Sequence, residues 1–161
     1  MTARNIPVED ALSLLKSDHD EIAELFDDYD SLVSADASNE ERRDLAEQIC
    51  TLLTVHAAIE EEIFYPAMRE VLADESIVDD ALDEHEEAKD VVATILAGDP
   101  TEPGYDALVA TLRGLVADHV RDEESQLFPS ARSSSLDLED LGAQLSARQE
   151  ILLSADEADE L

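Results

Sequence analysis

Apolar residues recur along this chain at alternating intervals of three and four, the pattern of a helix that buries one face. After Pro7 the seam reads Leu12, Leu15, His19, Ile22, Phe26, Tyr29 and Val33. From Ser38, where Ser38-x-x-Glu41 has the form of a capping box, a second seam runs Leu45, Ile49, Leu52, His56, Ile59 and Ile63. A third spans about Ser76 to Ala97 through Val78, Leu82, His85, Ala88, Val92 and Ile95, with Gly98 and Pro100 as its stop. The fourth takes Tyr105, Leu108, Leu112, Leu115 and His119, then Asp122 or Glu123, Gln126 and Leu127. Leu136 to Leu153 reads as a fifth amphipathic helix without histidine, and Ala155 to Leu161 as a frayed end. The pattern predicts an all-α protein: an up-down-up-down four-helix bundle over residues 1–135, and an additional C-terminal helix with its tail over 136–161.

All four histidines of the chain fall on these seams, one to each of the first four helices. A lone histidine on an apolar seam is usually a hydrogen-bonded core residue, but four of four is hard to obtain by chance. Two are followed one helical turn later by glutamate, as His56-x-x-x-Glu60 and His119-x-x-x-Glu123, so each pair presents a nitrogen and a carboxylate from one face. With turns near residues 36, 74 and 100, His19 and His56 come to within about 5–6 Å of one level at ~1.5 Å per residue, and so do His85 and His119. His56 and His85 are less well matched, at roughly 10 Å on the same rise, and Pro66 interrupts the second helix where it could absorb part of that gap. A repeat supports the arrangement. His56 to Pro66 and His119 to Pro129 share the form H-x-x-x-E-E-x-x-[FL]-[YF]-P, while His19 and His85, each preceded by an acid, play matching parts in the earlier helix of each half. Two hairpins facing each other, each supplying His, then His and Glu, suit two metal ions better than one.

Composition agrees with helix and narrows the rest. Only 4 Gly and 5 Pro occur in 161 residues, and 42 acidic residues outnumber 10 basic ones for a formal net charge of −32. A field of that sign argues against nucleic acid and anionic membranes as partners. It suits solubility in a salty cytoplasm, hence a halophilic source, better than a docking surface for a basic partner. No signal-like N-terminal stretch and no run long enough to span a bilayer are apparent, so the expected compartment is the cytoplasm. The single Cys50, about 120° around the helix from His56 at ~100° per residue, reads as a packing residue and not a ligand.

Imidazole with carboxylate and no thiolate suits iron, zinc, manganese, copper or nickel, whereas calcium and magnesium prefer all-oxygen shells. A structural zinc site needs only four ligands, usually with cysteine, so six donors are surplus to one zinc. Two octahedral ions would use four histidines and two bridging carboxylates and keep about four positions for a bridging oxygen and an exogenous molecule, a logic shared by carboxylate-bridged di-iron bundles.

His19, His56-x-x-x-Glu60, His85 and His119-x-x-x-Glu123, with the Glu-Glu and Tyr/Phe-Pro that follow, resemble the hemerythrin-like, or HHE cation-binding, domain over roughly residues 8 to 132. The resemblance implies a four-helix bundle holding two iron ions bridged by oxo or hydroxo, which binds O2 or reacts with peroxide or nitric oxide. It assigns His19 and His56 to one iron and His85 and His119 to the other, with Glu60 and Glu123 bridging. O2-carrying members have a fifth histidine one turn after the third, and here that position is Lys89. They also place an aspartate at i+5 from the last histidine, a slot that Glu124 holds here. The lost histidine implies an extra open position on one iron, and so sensing or oxidant chemistry over reversible O2 carriage. Lys89 is expected to snorkel to solvent, the other reading being a donor near the open site. The three tyrosines each lie nine or more residues along their helices from a histidine, about 14 Å at ~1.5 Å per residue, and are not expected to ligate. The alternative functions are a metal- or redox-dependent regulatory module with the last helix as transmitter, and a metal-binding or storage bundle without O2 chemistry.

Overall fold

The computed structural model of the chain describes residues 10–159. Helix α1 (Ala11–Ser34) opens at Asp10, whose carboxylate accepts from the Ser13 amide at 2.8 Å, satisfying one of the donors that a helix start leaves free. Helix α2 (Asn39–Ile59) opens at Ser38, whose hydroxyl accepts from the Glu41 amide at 3.1 Å. It continues through a π-helical turn (Glu60–Phe64) into α3 (Tyr65–Val71). Helix α4 (Ser76–Ala97) is followed by α5 (Tyr105–Asp122), which passes through a second π turn (Glu123–Leu127) into α6 (Phe128–Arg132). The last helix, α7, spans Leu138–Asp159. Helical structure thus continues past Ala155, where fraying was expected, and residues 160–161 lie outside the described part. Within it there is no strand.

Short connections make successive rods antiparallel, and α1 also packs on α5 and α2 on α4, which closes the four-helix square. Helix α7 lies across α1, α2 and the first π turn. Two apolar clusters fill the interior. One gathers Leu15, Ile59, Phe64, Tyr65, Met68, Leu127 and Phe128 with Leu141 and Leu145 of α7. The other gathers Ile22, Phe26, Tyr29, Ile49, Cys50, Ile95, Tyr105 and Leu112. The buried histidines and glutamates lie outside both apolar clusters and interrupt the seams between them.

The π turns reset the phase of the buried stripe. An α-helical continuation of the second seam would bury Ile63; instead Phe64 and Tyr65 are buried and Ile63 is only partly covered. At the second π turn Leu127, and Phe128 just after it, are buried while Gln126 is exposed. Each turn ends two residues before a proline, so Pro66 and Pro129 stand in the first turn of the following helix, where a missing N–H costs nothing. Pro66 therefore neither ends nor visibly breaks the rod. Several of the few bases tie elements together. Arg42, from α2, donates to Asp106 of α5 at 2.7 Å and to the Pro100 carbonyl at 2.9 Å, and Tyr29 of α1 donates to the same Asp106 at 2.6 Å.

Candidate metal centre

All six sequence-derived residues converge. His19, His56, Glu60 and Glu123 place four donor atoms within 4.8 Å of one another, and so do Glu60, His85, His119 and Glu123. The two sets share both glutamates. His56 Nε2 and His85 Nε2 each lie 3.2 Å from Glu60 Oε1, while His19 Nε2 and His119 Nε2 lie 3.2 Å from the Oε1 and Oε2 of Glu123. The expected mismatch across the middle connection disappears for a simple reason: Glu60, one helical turn nearer that connection than His56, is the residue at the level of His85. All six are buried, and His19 Nε2, His56 Nε2, both oxygens of Glu60 and Glu123 Oε1 have no hydrogen-bond partner. Buried carboxylate and imidazole atoms left unpaired are costly, and cations placed between them are the group that removes that cost.

The opposite face of every ring is held by a second carboxylate that sequence reading did not assign. His56 Nδ1 lies 3.0 Å from Asp18, and His119 Nδ1 lies 3.0 Å from Glu84. His85 Nδ1 lies 2.9 Å from Glu61, and His19 Nδ1 lies 2.8 Å from Glu124. The rule is two-fold. The acid before the first histidine of a hairpin holds the second histidine of that hairpin, and the acid after the shared glutamate crosses to the other hairpin. A carboxylate on Nδ1 fixes the tautomer that leaves the Nε2 lone pair facing inward. The signal was visible as acids adjoining each motif residue, but in a chain this acidic adjacency alone had no contrast. Glu124, the slot where O2 carriers have their second carboxylate, is in this outer set and Glu123 in the inner one.

Tyr65 corrects the expectation for tyrosine. Its hydroxyl donates to Glu123 Oε2 at 2.6 Å and lies 3.1 Å from His85 Nε2 and 3.4 Å from His119 Nε2. Counting rise along its own helix from His56 missed two effects. A helical side chain leans toward the N-terminus, and the π turn bonds the Tyr65 amide to the Glu60 carbonyl, setting Tyr65 beneath Glu60. The repeat places Phe128 at the matching position, and its ring stacks on His19 at 5.9 Å and an interplanar angle of 4°. Each half thus sends an aromatic to the other half's histidines, a phenol in one direction and a plain ring in the other.

Burial alone would pull the His56 imidazole down, but Glu60, Asp18 and Glu123 override it and raise it to about 10. His119 is raised to about 11, Glu123 and Glu60 outweighing its burial. Burial opposes ionisation of Glu60, yet His56 and the neighbouring polar groups lower it well below the usual carboxylate range. Tyr65 is pushed well up by burial and by Glu60 and Glu123. The pocket is built to hold cations against carboxylates.

Residues 10–131 match the family model of the hemerythrin HHE cation binding domain. The chain belongs to that family. A crystal structure of an HHE cation-binding-domain protein from Mycobacterium kansasii, a homologue of Rv2633c, superposes with a TM-score of 0.76 at 26% identity, covering 91% of this chain and 89% of that one. The uncharacterized protein Rv2633c of Mycobacterium tuberculosis is 29% identical over 121 residues, 73% of each chain. A protein named DNA nickase from Nostoc is 39% identical over 87 residues, 54% of this chain; the match spans only 24% of that protein's length.

Beside this HHE centre a cavity of about 50 Å³ opens onto all four imidazoles, its walls mostly apolar, with Ile22, Leu53, Val92, Leu115 and Val116 among them. Lys89 stands at its edge. Its ammonium donates to Glu61 at 2.9 Å and Glu86 at 3.3 Å, so it turns outward, half-exposed, but is tied through Glu61 to His85. Cys50 is buried in the second apolar cluster and its thiol is pushed up to about 11 by burial and Glu47, a packing residue outside the donor sets.

Proposed function

We propose that the chain is a non-haem di-iron protein whose centre binds or reacts with O2 or a related small oxidant such as peroxide or nitric oxide. The observation that carries this is the pair of four-donor sets sharing Glu60 and Glu123. Two carboxylates common to two histidine pairs suit two adjacent cations, and a donor set of imidazole and carboxylate without thiolate suits iron among the redox metals. In this reading His19 and His56 hold one ion, His85 and His119 the other, and Glu60 and Glu123 bridge. Iron there would supply electron transfer to and from the small oxidant. Tyr65 stands on the His85/His119 side, its hydroxyl 3.1 Å from His85 Nε2, so its phenol would be at hand for an ion held there.

The chain's own residues set what can enter. At about 50 Å³ the cavity has room for a few water-sized molecules, since one needs roughly 10–15 Å³, and none for an organic substrate. Its apolar walls favour a neutral or weakly solvated guest and exclude bulk water from the rings. Lys89, which donates to Glu61, and Glu84 stand in its wall, giving it a polar rim. The net charge of −32 speaks against a phosphate-backbone partner, so the nickase name is not carried over. No helix of the described residues is long and apolar enough to cross a membrane, and a cytoplasmic, salt-adapted setting fits the acidic surface. Iron analysis of protein expressed in iron-rich medium should give two per chain, with oxo-to-iron charge-transfer absorption in the near ultraviolet. Protein that carries no iron and gains no thermal stability from added Fe(II) would refute the proposal.

A further inference from the structure

The four outer carboxylates are not equally supported. Asp18 is the least exposed, at 16% of its side chain against 26–30% for Glu61, Glu84 and Glu124. The cover comes from α7. Gln149 Nε2 donates to Asp18 Oδ2 at 2.9 Å, the same oxygen that receives His56 Nδ1 at 3.0 Å. A carboxylate only accepts, so the amide nitrogen must face it. Glu84, the counterpart of Asp18 in the second hairpin, meets the acid Asp122 instead of a donor. Helix α7 also anchors beside the site through Arg148, which donates to Glu62 of the first π turn at 3.1 Å, and through Leu141 and Leu145 in the core.

We propose that Gln149 is a positioning residue of the metal centre, through which α7 sets how firmly the His19/His56 position retains its ion. The proposal rests on the two-ion reading. Asp18 held by two donors stays oriented toward His56. With one donor it is free to turn to water and leave the ring unbraced. Partners one step out from a metal ligand commonly change metal retention by about 10–100-fold.

The test follows release of iron from Fe(II)-loaded, anaerobic protein into a chromogenic chelator, together with histidine-ring NMR of metal-free protein. Gln149→Ala should speed release of one ion per chain by about 10–100-fold and leave the other at the wild-type rate. In the metal-free protein it should shift the His56 ring signals and not those of His85 or His119. Gln149→Lys, which keeps a donor, should restore both. Leu145→Ala, a pure packing loss on α7, should lower the melting temperature without separating the two release rates. A Gln149→Ala release curve that overlays the wild type, or speeds both ions alike, overturns the proposal. If the wild-type chain takes up no iron, the di-iron reading fails by itself. The His56 signals then decide: a selective shift upholds the Gln149 link and unchanged signals overturn it.

Discussion

Replacing Tyr65 by phenylalanine removes one oxygen and nothing else from the centre of the site. The ring is 1% exposed and the matching position of the other hairpin is already phenylalanine, so Tyr65→Phe should keep the packing. What is lost is a 2.6 Å hydrogen bond to a buried carboxylate whose other oxygen is already without a partner. A hydrogen bond to a charged group is worth about 1.5–3 kcal/mol, and burial places this one toward the upper end. For a chain of this size about 2–4 °C accompanies each kcal/mol, so the metal-free variant should melt about 4–12 °C lower. Differential scanning calorimetry of metal-free wild-type and variant protein reads this directly. Ferric-loaded wild type should also show a visible phenolate-to-iron band that Tyr65→Phe lacks, while Phe128→Leu leaves it in place. A variant that melts within about 1 °C of wild type and keeps its spectrum would refute the reading of Tyr65 as a member of the site.

Glu84→Gln should keep the fold but loosen His119, lowering metal affinity by about 10–100-fold in competition with a chelator; unchanged affinity would show that the outer carboxylates only solvate the rings. In the metal-free chain His56 rises from 6.5 unfolded to about 10 folded, so its contribution to stability is full below about 6.5 and is lost as pH rises through about 10. Thermal melts across that range should therefore decline with alkalinity, and a flat profile would contradict the pairing. Arg42→Ala removes the donor shared by Asp106 and the Pro100 carbonyl, and should cost about 1–3 kcal/mol in urea denaturation with an unchanged m-value. Because 42 acids face only 10 bases, added potassium chloride should raise the melting temperature until screening saturates; a fall would mean that the arginine ties outweigh repulsion.

The heptad seams made four of the helices and the six inner residues legible, because burying an imidazole or a carboxylate on an apolar stripe is improbable without a reason for it. Ile63 marks where that legibility stopped. Periodicity extrapolates a constant turn, and a π turn changes the phase by one residue without any apolar residue to announce it. Tyr65 was lost by the same route. The outer acids were hidden for a different reason: Asp18, Glu61, Glu84 and Glu124 look like the other exposed acids in composition, and only three-dimensional crossing between hairpins separates them. Gln149 lies 131 positions from Asp18 along the chain, a contact that no local pattern encodes.

Each π turn can also be regarded as a single inserted codon in an otherwise regular helix. Closing that turn to α geometry with its residue count unchanged would rotate all that follows by about 100° relative to Glu60, whereas deleting one residue between Glu61 and Phe64 at the same time would keep the phase. In the first case Tyr65, Phe64 and Met68 would swing out of register together, although none of the six inner residues had been touched. The reading frame of helical phase, as much as the identity of the donors, is therefore what a lineage carrying this site must preserve: loss of the one inserted residue should be tolerated together with a return to α geometry, whereas any further length change between Glu60 and Pro66, or between Glu123 and Pro129, should not.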